Sequence, residues 1–580
     1  MKVPSNQFGF EELRAARRES RALFWAAGLF SAFVNLLMLT GPLYMLQVYD
    51  RVLGSRSVAT LLALTALVVF LYTMMGLLDY ARGRIMARAG ARFQARLDKR
   101  VFDAVMRKNA LGQQDETALA LRDLEAVQRL LTSPALMALF DMPFAPLFLF
   151  GIFLFHPWLG YLAIVGGALL IVLTLTNLLA TRRPLNRANS AVAHAEILSE
   201  QIRSEAEMIE AMGMRASAFA RWQKARTASL SEHMTAADLS GVFTTSGKAF
   251  RLLLQSAMLG LGAYLVLQNQ LTPGAMIAGS ILMGRALAPI EMSIGHWPLF
   301  ARARKGWQVL AQLLSDVPPE HTRMPLPRPN ALLEVIQVTV VPPGEAQASL
   351  KVVNFTVKPG QAVGVIGKSG AGKSSLARAL TGAWRPAGGK IRLDGAALDQ
   401  YDPTILGDLI GYLPQRVELF EGTIAENIAR LSLAPDAAAV VKAAQRADAH
   451  AMIVALPDGY DTKVSANGGR LSGGQIQRIG LARAMYGDPV VLILDEPNSN
   501  LDNDGSQALN RAISTFRKEG KSVLIMAHRP AAIEQCDILL MLEEGRVLSF
   551  GPKEEVLRRM VQNHSEITKQ AGKGEGGGTL

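Results

Sequence analysis

The chain has 580 residues, half of them hydrophobic, and a formal net charge of +12. It is too long for one core and too apolar for an ordinary soluble protein, so two domains are expected, one of them in a membrane. The excess of Lys and Arg in the first half lies between apolar stretches, as at a bilayer surface, which argues against a nucleic-acid partner. The single cysteine, Cys536, excludes an internal disulfide and a cysteine-based zinc site, and is read as a small buried apolar residue.

Residues 1–21 are charged over too long a stretch for a signal peptide and lack a small-residue cleavage site, so they read as a retained cytoplasmic segment. A membrane-crossing helix needs about 20 apolar residues for a hydrocarbon core of about 30 Å. Six stretches approach that length, at 22–47, 58–79, 134–155, 157–180, 249–268 and 273–293. Basic residues precede the first, fill the second-to-third gap from Arg82 to Arg129, and fill the fourth-to-fifth gap from Arg182 to Arg226. The connection from Gln268 to Pro273 carries no charge, and the turn around His156 and Pro157 carries no Lys or Arg. Positive residues mark the cytoplasmic side, which places both chain ends there.

The two basic gaps are rich in Ala, Leu, Arg and Glu at helical spacing and read as membrane helices continued into the cytoplasm. Turns near 112–120 and 206–214 break them and are candidates for transmitting motion. Within the spans, charge is costly, which makes Asp141, Arg285 and Glu291 candidates for a translocation path, for ion pairs inside the bundle, or for positions already at the membrane interface. Pro143, Pro146 and Pro289 remove backbone donors and are candidate kinks. A six-helix membrane domain is placed at 22–314 and an extended, proline-rich linker at 315–330. A second domain follows at 331–562, and a Gly-rich tail at 563–580 is expected to be disordered.

In that second domain the strand-like QAVGVIG enters GKSGAGKSS and leaves as a helix, satisfying G-x-x-x-x-G-K-[ST] in a strand–loop–helix context. The expected phosphate cradle runs through Gly367, Lys368, Ser369, Gly370, Ala371, Gly372, Lys373, Ser374 and Ser375. Its backbone amides would wrap phosphate oxygens at a helix N-terminus, Lys373 would neutralise β/γ-phosphate charge, and the Ser374 hydroxyl would ligate Mg2+. Val490 to Glu496, VVLILDE, reads as a parallel strand buried on both faces that ends in two carboxylates. Asp495 would hold the metal and Glu496 would act as general base toward water.

LSGGQ at Leu471 to Gln475, followed by helical IQRIGLARAMY, resembles the signature of ABC transporters. The fold implied is an α-helical membrane domain of the ABC exporter type plus an α/β P-loop nucleotide-binding domain. The resemblance further implies that Ser472, Gly473, Gly474 and Gln475 meet the γ-phosphate of ATP held by a second subunit, so that the chain works as a homodimer. It gives Gln415 in GYLPQ the Q-loop role toward magnesium and water, Asp502 in SNLD the D-loop role, and His528 in MAHR that of the switch histidine on the γ-phosphate. The family usually stacks adenine on an aromatic residue about 25 positions before the P-loop. Here that region reads VIQVTVVPPGEAQ, and Val341 or Pro342 is left to supply an apolar face.

PLYMLQVYDRVL at 42–53, FDMPFAPLFL at 140–149, FHPWLG at 155–160, GRALAPIE at 284–291 and VPPG at 341–344 resemble the permease/ATPase of type I secretion systems, the PrtD type that exports proteases, lipases and RTX proteins. The cofactors implied are ATP and Mg2+. The partners implied are a periplasmic membrane-fusion protein, an outer-membrane channel and an unfolded cargo protein with an uncleaved C-terminal signal. No peptidase-like domain precedes the first span, so leader cleavage is not expected. An exporter of lipids or small molecules with the same architecture is the alternative. A cytosolic-type ABC ATPase on a membrane anchor is disfavoured by six spans and long helical extensions.

Overall fold

The computed structural model describes residues 8–111, 120–319, 323–465, 471–527 and 533–559. The chain divides into two compact units, the first taking residues up to 319 except 108–113 and the second taking 108–113 together with the residues from 320 onward.

The first unit is helical. Helix α1 (Phe8–Glu19) is followed by α2 (Arg21–Leu37) and α3 (Thr40–Gln47), then by a π-helical turn at Val48–Val52, α4 (Val58–Ala110) and α5 (Ala120–Leu131). Next come α6 (Pro134–Asp141), α7 (Ala145–Phe155), α8 (Pro157–Ser204), the short α9 (Ala206–Ala211), α10 (Arg215–Leu267), α11 (Pro273–Gly295) and α12 (Trp297–Asp316). Six helical stretches among the described residues are long and apolar enough to cross a membrane: 21–55, 58–110, 134–155, 157–204, 215–267 and 273–293. These are the spans read from the sequence, with α4, α8 and α10 running on well past their apolar parts. The turn expected near 206–214 is α9 and the residues that join it to α10, whereas most of the one at 112–120 lies outside the described residues.

Two of the prolines act as local breaks. The third span stops as an α-helix at Asp141, passes through a 3₁₀ turn at Met142–Phe144 containing Pro143, and resumes at Ala145 with Pro146 in its first turn. Pro289 instead remains inside α11. Asp141 and Glu291 are both held in ion pairs between helices. Arg82 on α4, 6% exposed, reaches Asp141 at 2.6 Å, Asp79 at 2.7 Å and the Ser31 hydroxyl at 2.8 Å, while Asn35 of α2 also donates to Asp141. Arg251 of α10 lies 2.7 Å from Glu291 of α11. Arg285 is exposed on the surface of the unit.

The second unit contains β1 (Leu333–Val340), β2 (Leu350–Val357), β3 (Ala362–Ile366), β4 (Gly388–Leu393), β5 (Ala396–Ala397), β6 (Ile410–Leu413), β7 (Gly422–Thr423), β8 (Lys463–Val464), β9 (Val491–Asp495), β10 (Ser522–Ala527), β11 (Ile538–Glu543) and β12 (Arg546–Pro552). The main sheet runs β12-β11-β3-β10-β9-β6, parallel except for the edge strand β12, and a smaller sheet runs β2-β1-β4-β5. Side chains of a strand alternate between faces. Leu492, Leu494, Val523 and Ile525 therefore join one core, with the helices Ala437–Arg446, Gly473–Met485 and Asn503–Lys518, while Val491, Ile493, Leu524 and Met526 join another under the helix Lys373–Leu380 and the smaller sheet. Both faces being covered is why VVLILDE reads as an unbroken apolar run.

Cys536 is buried at 5% exposure, and burial pushes its thiol up to about 12. A maleimide reagent at pH 8 is therefore expected to leave the folded chain unlabelled and to label it once after unfolding, because the thiolate is the reactive form; labelling at equal rates in both states would contradict this burial.

Asp488 is a hub at the entrance of the central strands. It accepts from Arg446 at 2.7 Å, Lys521 at 2.5 Å and Arg328 at 2.7 Å. Burial alone would raise its carboxyl, but the hydrogen bonds and charges of Lys521 and Arg446 hold it well below the usual carboxylate range. A carboxyl depressed on folding stabilises the fold above its unfolded value of about 3.9 and loses that contribution as pH falls toward the folded value. Asp488→Asn should lower the thermal midpoint at pH 7, and the deficit should shrink below about pH 4. A deficit that grew with acid would show the opposite sign.

Candidate functional site

The candidate site forms where β3, β10, β9 and β6 end, outside the carboxyl edge of a parallel sheet, which is where open α/β folds bind ligands. Parallel pairing puts Ile366 beside Ala527 and Met526 beside Asp495, so the loop after β3 and the acids after β9 open on the same edge.

The loop 367–372 leads into the helix Lys373–Leu380. Its geometry requires glycine at two positions. A Cβ on Gly367 would lie 2.3 Å from the Leu542 carbonyl oxygen, and Gly372, at φ +99°, would place one 2.7 Å from the Ser349 oxygen. The Lys373 amine folds back to donate to the carbonyls of Gly367 at 2.8 Å and Lys368 at 3.0 Å. Burial lowers its pKa, opposed by the nearby charges of Glu496 and Asp495. A partly desolvated cation ringed by loop backbone is poised for phosphate oxygens, which would restore the solvation that burial removed.

Asp495 is 3% exposed. Burial raises its carboxyl above the usual range, countered by a hydrogen bond from Ser374. Among the described residues its Oδ1 is buried without a hydrogen-bond partner. A buried carboxylate oxygen left open, beside a serine hydroxyl, is a hard oxygen donor set that fits Mg2+, which takes one or two protein ligands plus substrate phosphates and water. Glu496 sits at φ +49° with its amide donating to the Met526 carbonyl at 3.0 Å. Gln415, two residues past β6, donates from Nε2 to Glu496 Oε2 at 3.0 Å. Lys373, Ser374, Gln415, Asp495 and Glu496 are thus gathered at one edge, although they are scattered over more than 120 residues of chain. His528 follows β10 directly and lies outside the described residues.

The signature segment is built differently. Ser472 caps the helix Gly473–Met485 through a reciprocal box, accepting from the Gln475 amide at 3.3 Å while its own amide donates to the Gln475 side chain at 2.8 Å. Ser472 and Gly473 are exposed, and among the described residues no hydrogen bond joins them to the 367–375 loop. Asp502 caps the helix Asn503–Lys518 by accepting from the Gly505 amide at 2.7 Å. In the segment expected to face the nucleotide base, Pro342 is buried and Val341 half-buried, with the turn closed by the Glu345 amide donating to the Pro342 carbonyl.

Two contributors were missed by sequence reasoning. Gln477, 2% exposed, donates to the Pro497 carbonyl at 3.2 Å and so ties the signature helix to the segment after Glu496. Arg378 lies one helical turn beyond Ser374 and contributes positive charge at Asp495 and Tyr412. The i, i+4 spacing from Ser374 was the available signal for Arg378; for Gln477 only its place two residues past the signature pointed there.

A phosphate cradle, a buried acid for a metal and a carboxylate held by a glutamine define a P-loop nucleotide hydrolase attached to a six-span membrane unit. Residues 350–499 match the family model "ABC transporter" and residues 24–288 match "ABC transporter transmembrane region". The chain is 44% identical over 549 residues to the type I secretion system ATP-binding protein PrsD of Rhizobium meliloti, covering 94% of each chain. It is 28% identical to the exotoxin translocation ATP-binding protein PaxB of Pasteurella aerogenes, over 95% of this chain and 78% of that protein. A bacterial Atm1-family ABC exporter solved with ATP bound has the same fold, with a TM-score of 0.80 at 23% identity, over 95% of this chain and 98% of that one. The chain belongs to the ABC transporter family, among the type I secretion ATP-binding proteins. It is a multi-pass inner-membrane protein with a cytoplasmic ATPase domain, and it couples ATP hydrolysis to transport.

Proposed function

We propose that the chain is the energy-coupling subunit of a type I secretion machine, a homodimer that exports unfolded protein through its membrane domain to a periplasmic membrane-fusion protein and an outer-membrane channel. The observation that carries this reading is the 44% identity to a type I secretion ATP-binding protein across nearly the whole of both chains, membrane helices included. The homodimer reading rests on the signature, whose Ser472 is exposed and, among the described residues, caps its own helix, and on the resemblance to ABC transporters, which implies that it meets the γ-phosphate of ATP held by a second protomer.

In this reading ATP lies across the 367–375 loop, with Lys373 on its β/γ-phosphates. Mg2+ would be held by Ser374 and Asp495, with Gln415 nearby, and would supply charge neutralisation at the transferring phosphoryl group. Glu496 accepts the proton of the water that attacks the γ-phosphorus as the bond to the β-bridging oxygen breaks. Gln415 keeps the Glu496 carboxylate aimed, and His528 would contact the γ-phosphate. Val341 and Pro342 would offer the base an apolar face in place of a stacked aromatic. The bounds 22–314, 315–330 and 331–562 are our proposed membrane domain, linker and ATPase domain. Arg285, exposed on a membrane helix and without an ion pair among the described residues, is the remaining candidate for a path residue.

The test compares, by mass spectrometry, the proteins released by host cells expressing wild type or Glu496→Gln at equal levels. Loss of one or a few proteins with intact C-termini from the medium, with their accumulation inside, is the expected result. An unchanged set of released proteins would overturn the secretion reading and turn the search to lipid or small-molecule cargo.

A further inference from the structure

The first unit ends in an anchored exit. The last carbonyls of an α-helix have no partner within the helix. At the end of α12 one of these, that of Leu314, is taken up by an arginine of α4, as are the carbonyls of the two residues that follow the helix. Arg100 donates to the carbonyls of Leu314 at 3.3 Å and Val317 at 2.5 Å, and Arg107 donates to that of Pro318 at 3.1 Å. Arg100 also pairs through Nε with Glu12 of α1 at 3.0 Å, both side chains being mostly buried. Helix α1 itself lies directly on α12. The Gly9 amide donates to the Ser315 hydroxyl at 2.9 Å, and a Cβ on Gly9 would come within 1.9 Å of the Ala311 carbonyl oxygen, so only glycine permits this approach. Leu13, Phe93, Leu97, Val101, Leu310 and Leu314 close one core beneath these contacts.

From this arrangement we infer that Arg100, assisted by Arg107, is a positioning residue for coupling: it binds the start of the linker to α4, so that a pull from the ATPase domain moves the second membrane span together with the sixth. The covalent route from the ATPase domain into the membrane helices passes through Val317–Pro319. If only the helix end held that route, a pull there would be absorbed by fraying of the last turn, since helix termini open at low cost. Two guanidinium groups on the three carbonyls of Leu314, Val317 and Pro318 remove that slack, and positive charge at a helix C-terminus is favourable. Glu12 adds α1 to the moving body.

The inference rests on the exporter reading for the existence of a nucleotide-driven motion, but its test contains no cargo, so a failure of the secretion reading would show in the released proteins and not here. Full-length protein in lipid nanodiscs is followed by hydrogen–deuterium exchange with and without a non-hydrolysable ATP analogue and Mg2+. In wild type the analogue should change exchange both in 367–380 and in 93–107. In Arg100→Gln the change in 367–380 should remain while that in 93–107 is lost. Glu12→Gln, which leaves the carbonyl contacts in place, should keep most of it. A response of 93–107 in Arg100→Gln equal to wild type, or no response there in wild type, overturns the inference. Should Arg100→Gln loosen 93–107 before nucleotide is added, Arg107→Gln at the exposed edge of the contact decides: a weakened response supports the inference and an unchanged one overturns it.

Discussion

Replacement of Glu496 by glutamine is expected to leave nucleotide binding intact while reducing ATP turnover by about 10²–10⁴-fold. The size of the effect follows from how little else the substitution alters. Gln415 donates its amide to Glu496 Oε2 at 3.0 Å, and a glutamine oxygen at the same place can accept that hydrogen bond. The backbone at 496 is fixed by its own bond to the Met526 carbonyl and by a left-handed conformation that the substitution leaves unchanged. The Lys373 amine keeps its bonds to the carbonyls of Gly367 and Lys368. What is lost is the negative charge felt by Lys373 and Asp495 and the capacity to accept a proton from the attacking water. Gln415→Ala should cost less than Glu496→Gln, because it removes the aim of the carboxylate and not the base. The measurement is steady-state phosphate release beside equilibrium binding of a fluorescent ATP analogue. Wild-type turnover in Glu496→Gln would sink the base assignment, and lost binding would place Glu496 in the phosphate cradle instead.

Much of this site was legible in the sequence because its chemistry is local. Residues 367–375 supply glycines, lysine and serine within one loop, and the acids 495 and 496 close one apolar strand, so spacing alone places them at strand ends. The six spans were legible for a similar reason, as hydrophobic length answers directly to bilayer thickness. What spacing does not encode is the pairing of residues far apart in the chain. Asp141 and Glu291 stood out as charges in apolar stretches, but whether each faced a path or a partner depended on Arg82 and Arg251, one nearly 60 residues upstream of Asp141 and the other 40 upstream of Glu291. Arg82 reads from the sequence as one of several cytoplasmic-side cations and is instead 6% exposed. Helix α1 was likewise hidden, since its charges describe the exposed face and only the fold shows Leu13 and Ala16 buried against α12 and α4. Gln477 went unnoticed because a polar residue on an amphipathic helix is ordinarily solvated, and only its hydrogen bond to the Pro497 carbonyl gives it a role.

The Arg82 network yields the largest expected effect on stability. Arg82 carries Asp141, Asp79 and Ser31 at once, and Asn35 supports Asp141 from α2, so three helices meet on one guanidinium. The Arg82 side chain is 7% exposed and that of Asp141 14%. Removing one member of such a pair leaves the other charge uncompensated and costs about 3–5 kcal/mol, whereas removing both for apolar groups of similar volume is often nearly neutral. Arg82→Met should therefore cut the yield of assembled protein in mild detergent and lower its thermal midpoint steeply, and Asp141→Leu alone should do the same. Arg82→Met/Asp141→Leu should recover most of the loss, the remainder reflecting Ser31 and Asp79 left without their donor. Recovery in the double variant identifies an ion pair that holds α2, α4 and α6 together. If the deficit of the double variant equals the sum of the two single deficits, the carboxylate and guanidinium act separately. If instead each single variant is stable but export fails, Asp141 belongs to the path after all. The same cycle on Arg251 and Glu291, which join α10 to α11 nearer the second basic extension, would show whether both charged contacts in the spans serve assembly, leaving Arg285 as the charge still to be explained by transport.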